Sequence, residues 1–204
     1  MTNLHQILQA IVTVLAVINP VVCGSLFLTL TPTLTAPQRR REAAKVAVNI
    51  LVVLTGSALV GLKVLSIFGI SLDVFKVVGG MIIAYMGFDM LRGSHTVTQG
   101  PPENGNATVQ GSLAPLLMFA AGPGTITAVV TLAAVHTPDG LPMTAIIAAV
   151  VGTGATFVAL ILAVRLGHRL GRGTQATITR FMGLIVASMG MQFVLVSLKA
   201  LFKT

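Results

Sequence analysis

Ile18-Asn19-Pro20 stands in the middle of an apolar run that begins near Ile7 and continues to about Leu30. A run of that length crosses a bilayer, which needs about 20 residues as a helix. Pro20 has no N–H, and its ring clashes with the carbonyl four residues earlier, so the helix must break or kink there. Asn is a strong N-cap and Pro a favoured first helical residue, so Asn19-Pro20 reads as the start of a new half-helix. The device returns as Gly122-Pro123-Gly124, also inside an apolar run, and Pro20 and Pro123 lie 103 positions apart. Two broken membrane helices in matching places point to a binding site.

The composition sets the class. Of 204 residues, 54% are hydrophobic and only 9% charged, with a mean hydropathy of +0.93. Soluble domains carry about 25% charged residues, so this is a polytopic membrane chain. The lone Cys23 lies inside a span and forms no intramolecular disulfide. No Lys or Arg precedes Ile7, so the first span does not read as a cleavable signal.

Six spans are expected, at about 7–31, 43–67, 74–91, 112–135, 143–166 and 178–198. Thr33 to Pro37 reads as a turn-rich link, and Gln38-Arg39-Arg40-Arg41-Glu42 as a solvated charged stretch. A long polar segment, 94–111, holds Pro101-Pro102 and Asn104-Gly105. Pro138-Asp139-Gly140 marks another turn, and His168 to Thr177 a basic, Gly-rich loop. At the 103-residue offset, Gly80, Ala84 and Gly87 fall on Gly183, Ala187 and Gly190 without a gap. The chain therefore reads as two copies, 1–93 and 112–204, joined by a cytoplasmic linker at 94–111. Three spans per copy is an odd number, so the second copy is inverted. The expected fold is an all-α integral membrane protein: six transmembrane helices in two inverted three-helix repeats, the first helix of each broken.

Charge sets the orientation. Arg39, Arg40, Arg41, Lys45, Arg92, Arg165, Arg169, Arg172 and Arg180 cluster at the loops after spans one, three and five. The other side holds Lys63, Lys76, Lys199 and Lys203. The positive-inside rule then places those odd loops in the cytoplasm and both termini outside. This placement accounts for most of the +8 net charge, and with no Trp and a single Tyr the chain lacks the aromatic interleaving of a nucleic-acid surface.

The chemistry lies at the breaks. Behind Pro20 the unpaired N–H groups belong to Val21 and Val22, and behind Pro123 to Gly124 and Thr125. Such a terminus carries about half a positive charge and suits a carboxylate. Gly124 leaves room for close approach, Thr127 adds a hydroxyl, and carbonyls around Ile18 and Ala121 suit an ammonium or a cation. The bland alternative is that both prolines only kink packed helices. Asn19 serves as cap or as direct contact. Ser25 and Thr29 line a pathway or bond their own backbone. The small stripes Gly80-Ala84-Gly87 and Gly183-Ala187-Gly190 read as packing surfaces. Asp89 is a candidate for coupling to a proton or sodium ion, set against the reading of an interfacial helix-end charge. Glu42, Asp73, Glu103 and Asp139 read as loop or interface residues. His5, His95, His136 and His168 have no metal-ligand spacing, so neither a metal, a cofactor nor an enzyme constellation is expected.

Together, Ile18-Asn19-Pro20, the Thr-rich exit to Arg39-Arg40-Arg41-Glu42, Gly79-Gly80…Gly87 and Ala121-Gly122-Pro123-Gly124 resemble the MarC family of bacterial inner-membrane proteins. The resemblance covers nearly the whole chain. It departs at Val22-Cys23-Gly24-Ser25, where the family typically has Gly-Asn-x-Pro, and at Met118, where it tends to carry a proline. The family includes a small neutral amino acid transporter, so the resemblance implies a secondary transporter of glycine- or alanine-like substrates. Its site would comprise Asn19, Pro20, Val21, Val22, Gly122, Pro123, Gly124, Thr125 and Thr127. Export of another small metabolite or drug, and a non-transporting membrane scaffold, are the alternatives.

Overall fold

The computed structural model describes residues 4–93, 113–136, 141–166 and 172–202. The linker 94–111, the turn at Pro138-Asp139-Gly140, and His168 and Arg169 lie outside the described residues. The described chain is helical: α1 (Leu4–Ile18), α2 (Pro20–Leu30), α3 (Ala36–Ile67), α4 (Leu72–Arg92), α5 (Ala114–Ala120), α6 (Pro123–His136), α7 (Met143–Leu166) and α8 (Arg172–Leu201). Taken as α1–α2, α3, α4, α5–α6, α7 and α8, these give six segments long and apolar enough to cross a membrane. Their outward faces carry Val48, Val52, Leu59, Val60, Phe181, Leu184 and Leu195, all exposed. Exposed aliphatic and aromatic side chains along these two spans face hydrocarbon, which demands that backbone polar groups be satisfied within the helices.

Two boundaries differ from the sequence reading. The stretch Gln38 to Glu42 is already helical, because α3 starts at Ala36. The Gln38 side chain accepts from both the N–H (2.9 Å) and the hydroxyl (2.8 Å) of Thr35, and Pro37 fits the first turn, so the start signal precedes the charges. Likewise α8 reaches back to Arg172, into the segment expected to be loop. Glu42, read as a loop or interface residue, is buried and paired with Lys45 at 2.8 Å. Arg39 folds back onto the end of α2, its guanidinium donating to the Thr31 carbonyl at 2.7 and 2.9 Å. A cation on carbonyls left over at a helix C-terminus is favourably placed.

The broken spans form the centre of the bundle. Half of the apolar window of α1–α2 (50%) and most of that of α5–α6 (72%) are buried, against 22–39% for the other four. Small residues let the surrounding helices close in. The Gly24 Cα faces the Ala159 carbonyl and the Ala163 methyl on α7, where an added Cβ would meet each at 3.4 Å. Gly152 of α7 admits Val14 and Ile18 of α1, and Gly61 of α3 admits Val130 of α6.

The tightest seam joins α4 and α8. A Cβ on Gly80 would stand 2.7 Å from the Gly190 carbonyl oxygen, and one on Gly183 would stand 2.9 Å from that of Gly87. Gly87 abuts Ala187, and Gly190 abuts Ala84. Positions rise along α4 as they fall along α8, so the two helices cross antiparallel. The stripes expected to pack do pack, and they do so against each other.

Candidate functional site

At the first break, α1 keeps its hydrogen bond from Asn19 N–H to Leu15 O (2.9 Å), and α2 opens with Cys23 N–H to Asn19 O (3.0 Å). Between them Asn19 takes a left-handed backbone (φ 52°), among the described residues the one non-glycine with positive φ. Asn tolerates that region where most side chains do not. The turn aims its amide at the new helix: Oδ1 accepts from the Val22 N–H at 3.4 Å. Nδ2 hangs on the same carbon, so it too lies at the N-terminus of α2. It is buried and has no partner among the described residues.

Proline takes away the donor that the Ala16 carbonyl would use in an unbroken helix. The Ile18 carbonyl is approached by the Cys23 thiol at 3.2 Å. Sequence reasoning gave Cys23 no part in the break; its place four residues after Asn19, one turn on, was the available signal.

The second break repeats the plan with other residues. Ala121 N–H bonds to Leu117 O (2.8 Å), and Ile126 N–H to Gly122 O (3.0 Å), the counterpart of Cys23 to Asn19 at the 103-residue offset. Gly122 stands where Asn19 stands. It must be glycine because the chain folds directly over the Met118 carbonyl, which a Cβ would strike. Having no side chain, Gly122 leaves the third residue of α6, Thr125, without the amide cap that Val22 receives. The Thr125 hydroxyl is buried at 1% exposure and has no partner among the described residues.

Other hydroxyls sort differently. Thr127 donates to the Pro123 carbonyl (2.9 Å) and packs its side chain over Gly79 of α4. Ser25 and Thr29 donate to Val22 O (2.9 Å) and Ser25 O (3.1 Å), the backbone-bonding alternative. Thr131, Thr144, Thr153 and Ser197 are also buried without partners, but none lies in the first turn of a restarted helix.

Gly124 is the largest departure from expectation. The space over its Cα, which was to admit a ligand, holds Ile83 of α4: a Cβ there would stand 2.8 Å from Ile83 Cγ1 and 3.6 Å from Met86 Sδ. The flank of Gly124 is therefore filled by α4. Pro20 is half-buried while Val21 and Pro123 are exposed, and Val22 and Gly122 are buried. Asp89 is half-buried near the end of α4, roughly 9 Å along the helix from Ile83. Among the described residues, no group of three His, Cys, Asp or Glu could hold a metal ion.

The chain is 30% identical over 198 residues to a UPF0056 membrane protein of Methanocaldococcus jannaschii, covering 94% of this chain and 95% of the relative. It is 29% identical over 201 residues to the UPF0056 membrane protein YvbG of Bacillus subtilis (96% and 95% covered). It is 27% identical over 212 residues to the inner membrane protein MarC of Salmonella typhimurium (95% and 94%). No solved structure matches. A family model described as MarC family integral membrane protein matches residues 4–202, and the chain belongs to that family.

Proposed function

We propose that the protein is a secondary transporter of small neutral amino acids, glycine and alanine among them, and that the restarted helices α2 and α6 hold the substrate. One observation carries the reading: the N-terminus of each holds a buried polar group with no partner among the described residues, Asn19 Nδ2 at the cap of α2 and Thr125 Oγ1 in the first turn of α6. An unpaired buried polar group costs about 1–3 kcal/mol, so a ligand that pairs with it recovers that cost on binding. The α6 terminus suits the carboxylate, through the N–H groups of Gly124 and Thr125 and the Thr125 hydroxyl. Asn19 Nδ2 is a second donor. Carbonyls freed by Pro20 and Pro123 suit the ammonium, so a zwitterion needs no fixed charge from the protein.

Alternating access follows from an inverted repeat, and the α4–α8 seam supports one. Gly80 against Gly190 becomes Gly183 against Gly87 when the copies are exchanged, and Ala84 against Gly190 becomes Ala187 against Gly87. Reciprocal contacts of this kind belong to a two-fold relation, and between antiparallel helices its axis lies in the membrane plane. The distribution of the basic residues supports an orientation with both termini outside the cytoplasm. Asp89 is a position at which a proton or sodium ion would couple.

Uptake of labelled glycine and alanine into proteoliposomes, with imposed proton and sodium gradients, tests the proposal. Accumulation above protein-free vesicles supports it. Absence of uptake in every gradient, from protein that remains folded, returns the breaks to packing kinks.

A further inference from the structure

We propose that Ile83, a residue of α4 outside both breaks, sets the size limit of the ligand. The inference rests on the reading of the breaks as an amino acid site. Ile83 is fully buried and packs in one cluster with Val17, Ala128 and Val186. Val17 lies two residues before Asn19, and Ala128 lies in the second turn of α6, so this side chain reaches elements of both broken spans. It also covers the flank of Gly124, with its own Cα 3.9 Å from where a Cβ of that glycine would stand.

A ligand whose carboxylate meets the N–H groups of Gly124 and Thr125 therefore approaches along the helix axis. Its substituent has to turn past the Ile83 branch and Met86 Sδ. Hydrogen or a methyl group fits such a wall; a branched or aromatic substituent collides with it. Backbone donors treat every amino acid carboxylate alike, so discrimination must come from a wall of this kind. The wall is apolar and Gly124 offers no side chain of its own. At the 103-residue offset Ile83 corresponds to Val186, already one methylene smaller. The size limit thus sits on α4 rather than α8.

The test is competitive uptake in proteoliposomes with labelled glycine, alanine, leucine and phenylalanine. Wild type is expected to take glycine and alanine and to exclude the two larger substrates. Ile83→Ala should raise the leucine-to-glycine ratio by about tenfold or more, the scale on which pockets discriminate methylene groups. Ile83→Phe should lose alanine before glycine. Ile83→Val, which keeps most of the packing, should shift the ratio in the same direction as Ile83→Ala and by less. It serves as the deciding variant if alanine disturbs folding. An unchanged ratio in folded Ile83→Ala or Ile83→Val overturns the inference while leaving the transport proposal intact. A wild type that takes up none of the four removes the transport proposal, and this inference with it.

Discussion

The two breaks solve one backbone problem with opposite residues. At the first, Asn19 bends through the left-handed region and caps the new helix with its own amide. At the second, Gly122 makes the bend by giving up its side chain, and the N-terminus of α6 goes without an amide cap. The first break is stabilised locally; the second depends on its surroundings, with Met118 beneath it and Ile83 beside it. An N-terminus left uncapped by its own chain is the better receptor for an external anion. In the transport proposal the second break is accordingly the main receptor for the carboxylate, and the first contributes its one spare donor, Asn19 Nδ2.

The largest effect expected is on the second break. Gly122→Ala drives a methyl group into the Met118 carbonyl and should destabilise by about 3 kcal/mol, the upper end for overpacking. Gly154→Ala, where nothing lies within 4 Å, should stay within about 0.5 kcal/mol of wild type. Denaturation in matched detergent compares the two, and equal effects would mean that the Met118 contact does not shape the break. Next comes Gly124→Ala, which presses on Ile83 and should cost about 1–3 kcal/mol. Adding Ile83→Ala, which removes the Cγ1 that the new methyl would meet, should recover part of that cost, and a double-mutant cycle with no coupling would break the contact between α4 and α6. Asn19→Gly copies the residue of the second break into the first. Glycine keeps the left-handed turn, so stability should fall by only a few tenths of a kcal/mol, while uptake falls with the lost Nδ2 donor. If uptake holds, the first break is structural alone.

Much of this was legible in the sequence. Asn-Pro and Gly-Pro-Gly inside apolar runs place both breaks, because proline acts on its own backbone and needs no tertiary context. The small stripes were legible for the same reason. What fills the gap over a glycine is not local: Gly124 carries no sign in the chain that Ile83, forty-one residues earlier, covers it. Nor does sequence distinguish Thr127, whose hydroxyl bonds Pro123 O and whose side chain packs on Gly79, from Thr125, whose hydroxyl meets no partner among the described residues. Two positions on one helix point in different directions, and which direction meets a neighbour depends on packing. The start of α3 was misplaced because the charges at Gln38 to Glu42 outweighed a Thr-x-x-Gln signal that should have taken precedence.

Thr125→Val puts the central claim, that a restarted helix holds the substrate, to its most direct test. Valine matches threonine in shape and removes a buried hydroxyl that has no partner among the described residues, so thermal stability should be unchanged or slightly higher. Glycine uptake by the same folded protein should fall by about tenfold, the loss of one buried hydrogen bond to a charged group. Wild-type uptake in stable Thr125→Val protein would contradict the account, because the hydroxyl that singles out the second break would then have no ligand to meet.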